Sequence, residues 1–162
     1  MWATQFAQMQ FVAEKNGWTK FISMQNLYNL MYREEEREMI RYCNETGVGL
    51  IPYSPMFGGK LARPLGYKES IRSNTPSPVG DGLTEADQTI IQRVEKLAKD
   101  KGWKMSHVAL SWLRSKGAVP IVGFNTPEKI DDACELRGKS LTPEDVKYLE
   151  EPYVPKNVMG HF

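Results

Sequence analysis

The stretch Ala118-Val119-Pro120-Ile121-Val122-Gly123-Phe124-Asn125-Thr126-Pro127-Glu128 reads as a strand running straight into a helix. Its apolar, partly β-branched first half suits a buried strand. Gly123 ends that run. Asn125 and Thr126 then offer side-chain caps, Pro127 fits a first helical turn and Glu128 complements the positive helix end. Working backwards, Gly117 closes a helix that Ser106 opens and that continues to Lys116. The same grammar recurs further upstream: a helix over Arg33–Thr46 stops at Gly47 and feeds a strand, Val48-Gly49-Leu50-Ile51-Pro52-Tyr53. That helix buries Met39, Ile40 and Cys43 and leaves Glu34-Glu35-Glu36 in solvent. Earlier still, Trp2, Phe6, Met9 and Ala13 recur at helical spacing before Gly17, and Phe21-Ile22-Ser23-Met24-Gln25 reads as a first strand.

Two further helices follow from capping chemistry. Thr84 with Asp87 is a capping-box-like start for the stripe Ile90, Ile91, Val94, Leu97 and Ala98, ended by Gly102. Leu141-Thr142-Pro143-Glu144-Asp145 opens a short last helix, and the tail from Glu151 is irregular. Between the second strand and Thr84, the residues from Ser54 to Leu83 keep no period; prolines 55, 64, 76 and 78 and glycines 58, 59, 66, 80 and 82 fall there. A loop of that length inside a compact domain is functional or disordered. Strands that alternate with helices imply an α/β fold with parallel strands and right-handed crossovers. Three strands are too few for a closed barrel, since a (β/α)8 barrel takes eight and about 250 residues.

Composition narrows the function classes. Of the 162 residues, 41% are apolar and 25% charged, ordinary globular values, and the net charge is +1. That balance gives no reason to expect nucleic acid or an anionic membrane as partner. No apolar run approaches the ~20 residues that span a bilayer. The N-terminus carries no signal pattern, so a cytoplasmic location is the expectation. Cys43 and Cys134 are far apart and read as half-buried thiols in helices, without disulfide or metal roles. His107 and His161 show no ligand spacing.

In α/β folds of this kind, ligands bind at the carboxyl ends of strands. The first end offers Gln25, able to bind an amide or simply to be a satisfied polar group. The second offers Tyr53, a stacking platform or an ordinary rim aromatic, followed by Ser54, Pro55, Met56, Phe57 and Gly58. The third offers Gly123, Asn125 and Lys129 at a helix N-terminus, which favours an anion, although Asn125 or Thr126 can equally be a plain cap. Arg63 and Arg72 can reach phosphates from the loop or stay solvated.

Taken together, several runs carry a resemblance. They are Ser23–Leu30 followed by Tyr32-Arg33-Glu34-Glu35, Ile51-Pro52-Tyr53-Ser54-Pro55 with Gly58-Gly59, and His107-Val108-Ala109-Leu110-Ser111-Trp112-Leu113. Pro120-Ile121-Val122-Gly123 with Thr126–Lys129, and Tyr148–Tyr153, complete the set. The chain resembles the aldo-keto reductase superfamily, in particular its fungal aryl-alcohol-dehydrogenase-like branch, along essentially all its length. The resemblance implies a TIM barrel, of which residues 1–162 would be the C-terminal portion with about three parallel strands and flanking helices. It implies an oxidoreductase that binds NADP(H) and acts on small carbonyl or alcohol substrates. Gln25 would contact the nicotinamide carboxamide and Tyr53 would stack on the ring. Ser54, Pro55, Met56, Phe57 and Gly58 would line the pyrophosphate, with Arg63 or Arg72 as a loop clamp. Gly123, Asn125 and Lys129 would hold the 2′-phosphate end and Asp132 the adenine. Ala133 departs from the family, which often has asparagine there.

The family's catalytic Asp, Tyr, Lys and His would lie on strands preceding this sequence, so none is assigned here. The expected chain is therefore the cofactor-binding half, inactive alone, with self-association through open sheet edges. Two other readings compete: a non-catalytic module that associates with another protein, and a small complete flavodoxin-type domain. The lack of a strand before Trp2 argues against the latter.

Overall fold

The structure is a computed structural model that describes residues 1–67 and 82–160. Arg72 and His161 lie outside the described residues. Helix α1 spans Ala3–Lys15; the Gln5 carboxamide reaches back to the Trp2 amide at its start, and Trp18 N–H returns to the Ala13 carbonyl across Gly17 at its end. Strand β1 is Ser23–Met24, helix α2 Met39–Thr46, strand β2 Gly49–Leu50, helix α3 Glu85–Lys101, helix α4 Met105–Ser115, helix α5 Pro127–Cys134 and helix α6 Pro143–Glu150.

The strands are parallel, as the alternation requires, with Ser23 opposite Gly49 and Met24 opposite Leu50. They are shorter than the sequence implies, yet the ladder runs beyond them. Gly49, Ile51 and Tyr53 donate to the carbonyls of Ile22, Met24 and Asn26 at 2.8–3.0 Å. On the other side of β2, Val119 and Ile121 donate to Leu50 and Pro52 at 2.8 and 2.9 Å, and Ala118 bridges Leu50 in parallel. The expected third strand, 118–123, is thus reduced to one bridge with two ladder bonds. Pro52 accounts for the thinning, because it lacks the amide that would donate toward this segment; Pro120 is tolerated because its missing amide faces away from β2.

The predicted apolar stripe of α3 is buried in full, and Thr84 and Asp87 bond reciprocally at its start. Helix α4 buries Trp112, Leu113, Val108 and Ala109 against α3 and the loop after β2. Among the described residues no helix is long and apolar enough to cross a membrane.

Four expectations need correction. The acid run Glu34-Glu35-Glu36 does not begin an exposed helix: it forms a 310 turn, separate from α2, in which Glu34 and Glu35 are buried. Helix α4 starts at Met105 with Lys104 at the cap position, so Ser106 lies inside it rather than capping it. Cys43 is buried but Cys134 is exposed, at the end of a helix with no buried residue. The loop after β2 is not featureless, because Phe57–Ala62 forms 310 turns that bury Phe57 and Leu61.

Candidate functional site

The ends of β1 and β2 come together as the parallel ladder demands. Gln25, exposed, and Tyr53, half-buried, line one cavity of about 320 Å³ with Met24, Asn26 and Glu35. Two residues unforeseen in the sequence complete the wall: Met159 and Gly160, from the irregular tail. Gly160 has φ +88°, and a Cβ there would lie 3.0 Å from the Tyr53 hydroxyl, so the tail closes directly on that ring. Burial, then the nearby Glu35, pushes the Tyr53 hydroxyl above its ordinary value. Burial likewise pushes the Glu35 carboxyl up, against the Asn26 amide, which favours the charged form.

After Tyr53 the chain turns sharply. Ser54 and Phe57 hold φ of +52° and +47°, and Gly58 and Gly59 continue at +67° and +94°. For residues with a Cβ this region costs of order 1–3 kcal/mol each and persists only where the surroundings enforce it. The enforcing contacts are visible: the Ser54 carbonyl accepts from the Asn29 side chain at 3.0 Å and from the Phe57 amide at 2.9 Å, while Asn29 is fully buried. Pro55 and Phe57 are buried; Ser54, Met56 and Gly58 remain partly accessible. Arg63 stacks its guanidinium over Tyr67 at 5.1 Å.

The third cluster does not line that cavity. Gly123, Asn125 and Lys129 are exposed, and Lys129 reaches the Asn125 side chain at 2.5 Å along the first turn of α5. Asp132 is half-buried; its carboxylate pairs with Lys104 and its carbonyl meets His107 Nε2 at 2.8 Å. His107, Asp132 and Glu135 bring potential ligand atoms within 4.8 Å of one another. The Lys104 ammonium, ion-paired with Asp132 and 3.7 Å from Glu135, already supplies the positive charge this acidic pair calls for.

Apart from the cavity lies a partly buried ionic hub that the exposed-acid reading missed. Arg33 grips Glu36 bidentately at 3.0 and 2.8 Å, meets Glu150 at 3.3 Å and lies over Trp112 and Tyr153. Tyr28 donates to Glu36 at 2.7 Å; Trp112 Nε1 and Lys116 serve Glu150 at 2.8 and 2.5 Å. The available sequence signal was the placement of Tyr32-Arg33 directly before the acid run, which pairs charges locally.

The profile of the Aldo/keto reductase family matches residues 3–153. An aldo-keto reductase of Fusarium vanettenii is 51% identical over 99% of the chain and 44% of its own length. A versiconal hemiacetal acetate reductase of Aspergillus parasiticus is 49% identical over 98% of the chain and 48% of its own length. A putative aryl-alcohol dehydrogenase of Saccharomyces cerevisiae is 45% identical over 96% and 46%, respectively. The chain spans about half the length of these curated relatives. With its parallel strands and a profile match covering nearly every residue, the chain belongs to the aldo/keto reductase family.

Proposed function

We propose that residues 1–162 form the cofactor-binding half of a cytoplasmic NADP(H)-dependent oxidoreductase for aldehydes, ketones or aryl alcohols, its strands an arc of the C-terminal part of a (β/α)8 barrel. The observation that carries the reading is the cavity shared by Gln25 and Tyr53 at neighbouring strand ends. Its donor set fits a nicotinamide: Gln25 offers both an amide donor and an acceptor to a carboxamide, and Tyr53 offers an aromatic face. The left-handed turn at Ser54–Gly59 brings backbone close to a pyrophosphate. The start of α5, with Asn125 and Lys129, favours a 2′-phosphate, and Asp132 the adenine. The bound cofactor supplies hydride for a carbonyl carbon. Tyr53 orients rather than protonates: its hydroxyl abuts Gly160 of the tail and its ring offers the stacking face. No residue of the chain is assigned general-acid work, and the chain alone is inactive.

A second reading is a binding module that associates with another protein. It is favoured by Trp18, Phe21 and Ile22, which are 65%, 54% and 82% exposed just before β1. One experiment separates the two. NADPH is titrated into the 162-residue chain and into Gln25→Ala and Tyr53→Ala, and its oxidation is followed with an aromatic aldehyde. Binding that weakens about tenfold in each variant, a loss of ~1.4 kcal/mol, supports the first reading. Absence of NADPH binding favours the second. Turnover near ~10 s⁻¹, a typical enzyme value, would overturn the inactive-half assignment.

A further inference from the structure

The tail segment Tyr153–Gly160 has no regular secondary structure, yet it is fixed at intervals of three residues. Tyr153, Lys156 and Met159 are partly buried, while Val154, Pro155, Asn157 and Val158 are exposed. Three is the repeat of an extended polyproline-type chain, which makes no internal hydrogen bonds and must therefore find its partners elsewhere. Each anchor has one. Tyr153 accepts from the Arg33 amide at 2.8 Å and donates to Glu34 Oε1 at 2.7 Å. The Lys156 amide donates to the same Glu34 oxygen at 2.8 Å, and its ammonium pairs with buried Asp87 at 2.8 Å. The Met159 amide donates to the Tyr32 hydroxyl at 2.9 Å. Two of the three anchors thus converge on one buried carboxylate, whose other oxygen holds Arg37 at 2.8 Å. Immediately beyond the last anchor, Met159 and Gly160 wall the cavity of Gln25 and Tyr53.

We propose that Glu34 is a positioning residue: through Tyr153 and Lys156 it fixes the segment Tyr153–Gly160 as a wall of the cavity that holds Gln25 and Tyr53. The inference rests on the reading that this cavity takes the nicotinamide end of NADP(H). Glu34 touches no ligand itself. It acts by limiting where Met159 and Gly160 sit against the Tyr53 ring. Charge-assisted bonds to a buried carboxylate are the strong kind, and both of the tail's bonds to Glu34 end on the same oxygen. Removing it loosens two anchors together, leaving Tyr153 its bond from the Arg33 amide and Lys156 its pair with Asp87 beside the Met159 tie.

The test uses the full 162-residue chain and two probes, NADPH and adenosine 2′,5′-bisphosphate, which lacks the nicotinamide half. Wild type, Glu34→Ala, Glu34→Gln and Tyr153→Phe are compared by calorimetry, and amide hydrogen exchange is followed over residues 153–160. Expected are faster exchange in the tail of Glu34→Ala and Tyr153→Phe and NADPH binding weaker by about tenfold in Glu34→Ala, ~1.4 kcal/mol. The bisphosphate should bind unchanged. Glu34→Gln, whose amide oxygen still accepts both tail bonds, should lose less than the alanine variant. Unchanged tail exchange would show that Glu34 is no anchor. Faster exchange with unchanged NADPH affinity, or equal losses for both probes, would show that the tail is no wall. Should Glu34→Ala fail to fold, Tyr153→Phe, which deletes one oxygen, decides the same points. A wild-type chain that bound neither probe would refute the cofactor reading separately, and tail exchange would still judge the anchor.

Discussion

Replacing Arg33 by methionine removes the charge at the centre of the hub while keeping a long apolar stem. The Arg33 side chain is 13% exposed, and its partners Glu36 and Glu150 are 29% and 20% exposed. Burial alone would lower the guanidinium, but the bonds to Glu36 and then the fields of Glu36 and Glu150 outweigh it and hold it above its ordinary value. Breaking a buried pair by deleting one partner costs about 3–5 kcal/mol, because the remaining charge is left in a poor solvent. Here the lower end applies. Glu36 keeps the Tyr28 hydroxyl, Glu150 keeps Lys116 and the Trp112 indole, and both carboxylates retain some water. A loss of ~3 kcal/mol in a chain of this size lowers the melting temperature by roughly 6–12 °C, at about 2–4 °C per kcal/mol. The assay is thermal unfolding followed by circular dichroism at one fixed protein concentration. Arg33→Lys should recover only part of the loss, since an ammonium cannot reproduce the two-pronged grip on Glu36. A shift under ~2 °C for Arg33→Met, at the rate just used, would show that the hub is solvated and contributes little.

Other outcomes follow from single groups. Lys129→Glu should abolish any preference for NADPH over NADH, read as the ratio of dissociation constants by calorimetry; an unchanged ratio would remove Lys129 from the 2′-phosphate site. Glu35 has a folded-state pKa above its unfolded value, chiefly through burial, so its contribution is fully present at low pH and is lost as pH rises through the folded pKa. Glu35→Gln should therefore gain urea resistance relative to wild type between pH 4 and pH 7, and a relative loss over that range would refute the burial argument. Val119 and Ile121 are 69% and 44% exposed beside the open edge opposite β1, where Phe21 and Ile22 are also exposed. Unpaired edges of this kind recruit other chains, so sedimentation should show mass rising with concentration; one compact monomer throughout would count against it.

The helices were the most legible part of the fold, because their signals are local. The Thr84–Asp87 and Thr142–Asp145 boxes and the stripe from Ile90 to Ala98 each lie within one or a few turns, and all are formed. What misled was chemistry completed from far away. Glu34 looks like a solvated acid beside its neighbours, yet its partners Tyr153 and Lys156 arrive from about 120 residues downstream. Strand lengths were overread for a different reason: β-branched runs signal extended backbone, but Pro52 deletes an amide donor and thins the ladder that defines a strand.

The candidate site divides along the same line. Gln25 and Tyr53 were readable because parallel pairing fixes strand ends side by side once the two strands are recognised, and Tyr53 N–H to Asn26 O at 2.9 Å is that pairing's last rung. Met159 and Gly160 carry no period and no cap, so nothing local marks them as cavity wall. The clue is compositional and weak: aromatic, lysine and methionine at every third position of an otherwise irregular tail. That spacing becomes informative only when Glu34 is known to be buried, since a buried carboxylate must be given donors, and its own turn supplies only Arg37. Burial of the acid and order of the tail are then one fact seen from two ends of the chain. The Met159–Gly160 wall of the cavity is thus built by residues whose roles become visible only through the partners they satisfy.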